Sequence, residues 1–226
     1  LARGVLTGRR FGFVATHGRA GGAVGSGLLV HRGASPEESP SSPPPPLRRE
    51  RDFRERGDGT WVSSAEILAR LNLGGVDHLQ MLACSTHADD PAPGDHLSSL
   101  LTALLICGAR SVGGTLWAVD EVAAVLVGYR VGTALIRGET DKAQALRSAT
   151  QWLRQATGTE IAMVLADLGA ALAERVPDGD SARGALADVA DRFRAHADHA
   201  TAPPFADVVH WAPYVLHGAP LVGSHG

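Results

Sequence analysis

The sequence predicts an α/β fold, a mainly parallel sheet covered by helices on both faces, and three observations predict it. Short apolar runs of strand length alternate with segments of helical length along most of the chain. Crossovers of that length are the connections that parallel strands need. The central run, Leu79 to Ala83, is apolar at all but one position, as strands buried on both faces read. The 226 residues, 44% of them hydrophobic, suffice for one sizeable core, so a single domain over 1–226 is expected.

The first strand is Phe11 to Ala15, which ends at Thr16-His17-Gly18. Leu28-Leu29-Val30 is a second, after Gly25-Ser26-Gly27. Residues 33–59 run from SPEESPSSPPPP to LRRERDFRERGDG; proline tracts and mixed charge bury little, so a disordered surface insertion is expected. Ser63 and Glu66 have the spacing of a capping box, and Ile67, Leu68 and Leu71 follow on one helical face. Gly74-Gly75 and Asp89-Asp90-Pro91 bound the central strand, which leads to Cys84. Residues 98–107 form an apolar helix closed by Gly108, and 111–117 the next strand.

Asp120 caps a helix to about Ile136, stopped by Gly138. Asp141 and Gln144 have capping-box spacing for a helix carrying Ala145, Leu146, Ala149 and Leu153. Two further helices are expected over 160–176 and 181–199, and a last strand over 208–216.

Formal net charge is -3, with both signs interspersed and no basic stripe, so nothing argues for a nucleic-acid surface and no nucleic-acid partner is expected. Two cysteines, Cys84 and Cys107, do not make a disulfide framework, and Cys107 in LLICGA reads as packing. No uninterrupted apolar run is long enough to span a bilayer and no signal segment opens the chain, so no membrane role and a cytoplasmic location are expected. The start at Leu1 reads as the interior of a domain. The chain is therefore expected to be the C-terminal piece of something longer.

His17 and Cys84 each follow an apolar run, and open α/β folds place their chemistry at the carboxyl ends of strands. If the two strands are neighbours, both residues emerge at one sheet edge. Caspase-type thiol proteases keep the histidine about 50 residues before the cysteine, and the separation here contains the proline-rich insertion. A thiolate attacks a peptide carbonyl, and a histidine raises the thiolate fraction and protonates the leaving amine. The backbone amides of Gly18 and Cys84 are candidate oxyanion donors. Zinc on His17, Cys84 and His87 with Asp89 or Asp90 falls short of a guaranteed ligand set, as do His196 and His199 with Asp198. No metal and no cofactor are expected.

Several motifs together resemble the CHAT domain, the caspase-like domain associated with tetratricopeptide repeats in bacterial proteins, within the caspase, separase and gingipain group of cysteine peptidases. They are FGFVATHG at 11–18, GSGLLV at 25–30, WVSSAEILARLNL at 61–73, LQMLACST at 79–86, GARSVGGTLWAVDEVAA at 108–124, KAQALRSATQWLR at 142–154 and HWAPYVLHG at 210–218. The resemblance implies a caspase-like three-layer α/β/α sandwich, His17 as catalytic histidine, Cys84 as nucleophile, and a helical-repeat region or separate activator that presents a target and gates the site. Asp120 matches the family's aspartate after the LW strand and is a possible substrate contact, although capping alone explains it. The chain departs from the family in the insertion at 33–59, in two extra helices over 155–207, and in its missing upstream part.

The expected function is a regulated cysteine endopeptidase acting on protein substrates through an acyl-thioester. The alternative is an inactive module using the same fold as an interaction or assembly platform. Related peptidases often cut after a basic residue, which would draw on an acidic pocket from Asp77, Asp89, Asp90, Asp95 or Asp120.

Overall fold

The computed structural model describes residues 10–15, 18–19, 27–31, 59–82, 100–175, 181–195 and 202–222. The fold is mixed α/β, with a largely parallel four-stranded sheet flanked by helices. Its strands are β1 (Phe11–Ala15), β5 (His78–Leu82), β6 (Ser111–Thr115) and β7 (Tyr214–Gly218), in the spatial order β1-β5-β6-β7. A second, three-stranded sheet joins β2 (Gly18–Arg19), β3 (Gly27–His31) and β4 (Gly59–Ser63), and both of its pairings are antiparallel. Among the described residues no helix is long and apolar enough to cross a membrane.

The chain divides into two compact units, Leu1–Gly114 and Thr115–Gly226. The first holds both β-sheet pairings just described for β1, β5 and β6, together with α1 (Ser64–Arg70) and α2 (Leu100–Ile106), which pack on each other. Ile67 from α1, Leu101 and Leu104 from α2, and Leu79, Met81 and Val112 from the strands are all at most 2% exposed. Each such side chain contributes roughly 1.5–3 kcal/mol on leaving water. Four of the five residues of β5 are fully buried, alternate faces included, so the strand is covered on both sides as its sequence requires. Gly108 closes α2 in the left-handed region at φ +107°, and a Cβ there would stand 3.0 Å from the Gly74 amide nitrogen. Glycine is the residue that accepts both conditions.

The second unit contains α3 (Glu121–Ile136), α4 (Lys142–Gln155), α5 (Gly158–Arg175), α6 (Ser181–Ala195), the short α7 (Val208–Trp211) and β7. Helices α3 and α4 pack together, as do α5 and α6, while α4 also meets α7 and β7. The Arg130 guanidinium lies 4.3 Å from the Trp152 ring centre, and Arg154 lies 5.1 Å from that of Trp211. These cation–π contacts link α3 to α4 and α4 to α7. Within this unit the Leu116 amide donates to the Pro213 carbonyl at 2.9 Å, where the chain has already left β6.

Two local expectations are corrected. The run at 208–216 is not one strand: Asp207 accepts from the Val209 amide and starts a helical turn, and the strand begins only at Tyr214. An apolar run without periodicity does not distinguish the two. The Asp141–Gln144 box is half made. Asp141 accepts from the Ala143 and Gln144 amides, but the Asp141 amide donates to Glu139 and the Gln144 side chain goes to Ser148. A full box stands instead at the start of α5, where Glu160 accepts from the Thr157 amide at 2.7 Å and donates its own amide to the Thr157 hydroxyl at 3.3 Å.

The Thr157 backbone N–H, and secondarily its hydroxyl, hold the Glu160 carboxyl below the usual carboxylate range. The folded value lies below the unfolded one, so the contribution is present at neutral pH and is lost as pH falls through the folded value. A Glu160→Gln variant is expected to show a shallower loss of stability between pH 5 and pH 3 in chemical denaturation. An unchanged acid limb contradicts this assignment.

Candidate active site

Strands β1 and β5 are hydrogen-bonded parallel neighbours, running from Phe11 opposite His78 to Ala15 opposite Leu82. Partner numbers differ by 67 throughout (78 minus 11, 82 minus 15), so both strands run out together at the same carboxyl edge. His17 and Cys84 also differ by 67, and each follows the last paired residue of its strand by two positions. Both residues lie outside the described residues, as do His87, Asp89, Asp90, Asp95, His196, Asp198 and His199, and with them both zinc readings. Gly18, the other oxyanion candidate, is in β2, where it pairs with Leu28.

The opposite, amino edge is held by Asp77, which is fully buried. Its carboxylate meets Arg10 Nε at 2.9 Å and Arg110 Nε at 3.5 Å. The Asp77 and His78 amides donate to the Arg10 carbonyl at 2.7 and 3.1 Å, and the Arg110 amide donates to the Val76 carbonyl at 3.0 Å. One carboxylate thus ties the starts of β1, β5 and β6 and fixes their common register. The expectation that Asp77 could line a pocket for a basic substrate residue fails, because the group is sealed at the edge away from the strand exits. Asp77→Ala is expected to cost about 1.5–3 kcal/mol, the range for hydrogen bonds to a charged group. Urea denaturation measures it, and a loss below the noise of that method contradicts the clamp.

Between these edges lies a polar group that sequence reasoning missed. His78 and Gln80, both 1% exposed, share one face of β5. His78 Nδ1 is 3.0 Å from Ser111 Oγ, and Ser111 donates to the Asp77 carbonyl at 2.9 Å. Nε2 faces the Gln80 side-chain amide at 3.2 Å. Gln80 is paired in register with Gly113 on β6. A Cβ on Gly113 would fall 2.2 Å from Gln80 Oε1 and 2.7 Å from its Cδ, so the glycine is the space that the glutamine occupies. The available signal was two polar residues at i and i+2 leading into an apolar run.

A family model described as the CHAT domain matches residues 12–219. The chain belongs to the CHAT domain family. No curated protein matches it. The parallel sheet and its helices are those expected of a caspase-like CHAT domain. Within this CHAT domain, Asp120 is the N-cap of α3, its Oδ1 accepting from the Val122 and Ala123 amides at 2.9 and 3.1 Å. Cys107 is half-buried, with its thiol 3.5 Å from the Ile67 carbonyl, and burial pushes that thiol up from its ordinary value. A packing role is what such an environment gives, since little thiolate forms at neutral pH. Among the described residues no group of three or more His, Cys, Asp or Glu side chains is placed to hold a metal ion.

Proposed function

We propose that this CHAT domain is a cysteine endopeptidase whose nucleophile is Cys84 and whose acid–base group is His17. The observation that carries the reading is the constant offset between β1 and β5, equal to the sequence separation of the two residues. If that pairing continued for two more residues, positions 17 and 84 would be neighbours, since adjacent strands are about 4.8 Å apart.

In this mechanism the Cys84 thiolate adds to the scissile carbonyl carbon, and His17 protonates the departing amine. An acyl-thioester is left on the sulfur. Water then attacks the thioester, His17 takes its proton, and the carboxylic acid and the thiolate are released. The oxyanion formed at each tetrahedral stage is met by the backbone amides of Gly18 and Cys84, each worth on the order of 3 kcal/mol. Asp120 is retained as a substrate contact in addition to its cap. The substrate is a protein cut after a basic residue, and a helical-repeat region or a separate activator controls access. With Asp77 sealed in the sheet, the acids that remain for the basic side chain are Asp89, Asp90, Asp95 and Asp120.

A peptide library digested with the full chain and with Cys84→Ala, read by mass spectrometry, tests this. Cleavage after Lys or Arg that disappears in the variant supports the proposal. Cleavage that survives the substitution overturns the mechanism, and cleavage confined to positions after Asp overturns the substrate class alone.

A further inference from the structure

The chain holds one lysine, Lys142, against 20 arginines. Among the described residues no arginine is buried, whereas Lys142 is 1% exposed and the bulkiest of the fully buried side chains. It is the first residue of α4, the helix end at which positive charge is disfavoured. A sealed ammonium is tolerated only where its donors are met and water stays out. The one amine-bearing side chain of the protein therefore stands where its setting depends on a closed cover.

Residues 218–222 run across that helix start as a strap. Gly218 ends β7 in the left-handed region, at φ +92°, and turns the chain toward α4. The Lys142 amide then donates to the Pro220 carbonyl and the Val222 amide to the Thr140 carbonyl, both at 2.8 Å. Leu221 lies opposite Asp141 between these two bonds, as an antiparallel bridge. The strap brings little apolar burial of its own: Gly218, Pro220 and Leu221 are exposed, Leu221 at 59%. A segment held by backbone bonds near solvent, with few buried apolar contacts, belongs to the parts of a protein that open locally.

We infer that residues 218–222 are a latch that opens at Gly218 while the rest of the chain stays folded, and that its opening brings the Lys142 amine to solvent. Closed, the latch ties β7, the end strand of the four-stranded sheet, to the start of α4. Open, it leaves β7 held at its beginning, where the Pro213 carbonyl accepts from the Leu116 amide, and free at its carboxyl end. The two states differ by two backbone hydrogen bonds and by the exposure of the single lysine. The fold thus carries a cover and, beneath it, one amine that reports whether the cover is shut.

Acetylation of Lys142 by an N-hydroxysuccinimide ester, followed in the full chain by mass spectrometry of the peptide that contains it, tests the inference. In the wild type the labelling rate is expected to be nearly independent of urea at low concentrations, because a local opening exposes little surface. Val222→Pro removes the donor to Thr140 and keeps Leu221 extended. That variant is expected to label about fivefold faster, the worth of one backbone hydrogen bond. Equal rates in the variant and the wild type overturn the latch. Wild-type labelling that climbs from the lowest urea with the full slope of global unfolding also overturns it, and that arm needs no variant.

Discussion

Replacing Cys84 by alanine is expected to reduce peptide cleavage to background, and His17→Ala to lower kcat/KM by on the order of 10²–10⁴, the usual worth of a positioned acid–base group. The double substitution is expected to cost no more than Cys84→Ala alone, because two groups that act as a unit are lost together. The proposed pair is also expected to set thiol reactivity. In wild type a small electrophile such as iodoacetamide is expected to label Cys84 well before Cys107, whose thiol is half-buried and shifted up by burial. His17→Ala is expected to erase that preference, since the imidazole that favours the thiolate is gone. Equal labelling rates in the wild-type chain contradict the pairing. They would favour the reading in which the CHAT domain serves as an interaction platform with no covalent chemistry.

Gly113→Val is expected to be the most damaging single change in the described core. Its Cβ alone would overlap the Gln80 amide, with Oε1 at 2.2 Å and Nε2 at 2.8 Å. Gln80 is the end of a flexible side chain, but at 1% exposure it can move only by giving up its contact with His78. Overpacking of this kind costs about 1–3 kcal/mol, and the lost buried hydrogen bond adds about 1 kcal/mol. A total of about 3 kcal/mol follows, measurable as a fall in the urea midpoint at constant slope. The double variant Gly113→Ala with Gln80→Ala is expected to be more stable than Gly113→Ala alone, because the second truncation removes the overlap. Additive losses in that pair contradict the steric account.

The parallel sheet was legible where the sequence carries a physical signature that tertiary contacts do not override. The apolar runs at Phe11 and Leu79 are β1 and β5, and the caps at Asp120 and Asp141 open α3 and α4. The antiparallel sheet was not legible, because β2 has two residues and β4 follows directly on the proline-rich insertion. The two residues of β2 are too few for a period to show, and the Gly59 start of β4 falls inside the segment read as the insertion. The His78–Gln80–Ser111 group was missed because polar residues entering an apolar run resemble the run's boundary, and only pairing with β6 reveals that they are covered. Thr157 and Glu160 carry a capping-box spacing, but a helix begun at 160 leaves Thr157 out of it.

The β1–β5 register is what gives the proposed site its geometric basis. A separation of 67 residues in sequence has no meaning until β1 and β5 are known to be neighbours with that same offset. Asp77 and its two arginines supply the physical reason for the offset, since they pin the starts of adjacent strands and leave their ends to coincide.

The central claim is that positions 17 and 84 face each other beyond the last β1–β5 pair, and a disulfide trap measures this directly. Two cysteines join when their Cα atoms are about 4.4–6.8 Å apart, a condition that laterally adjacent residues on neighbouring strands can meet. In a His17→Cys, Cys107→Ala chain, mild oxidation is expected to give an intramolecular disulfide between position 17 and Cys84, seen as one linked peptide pair in mass spectrometry. Free thiols at both positions, or only intermolecular dimers, would contradict it.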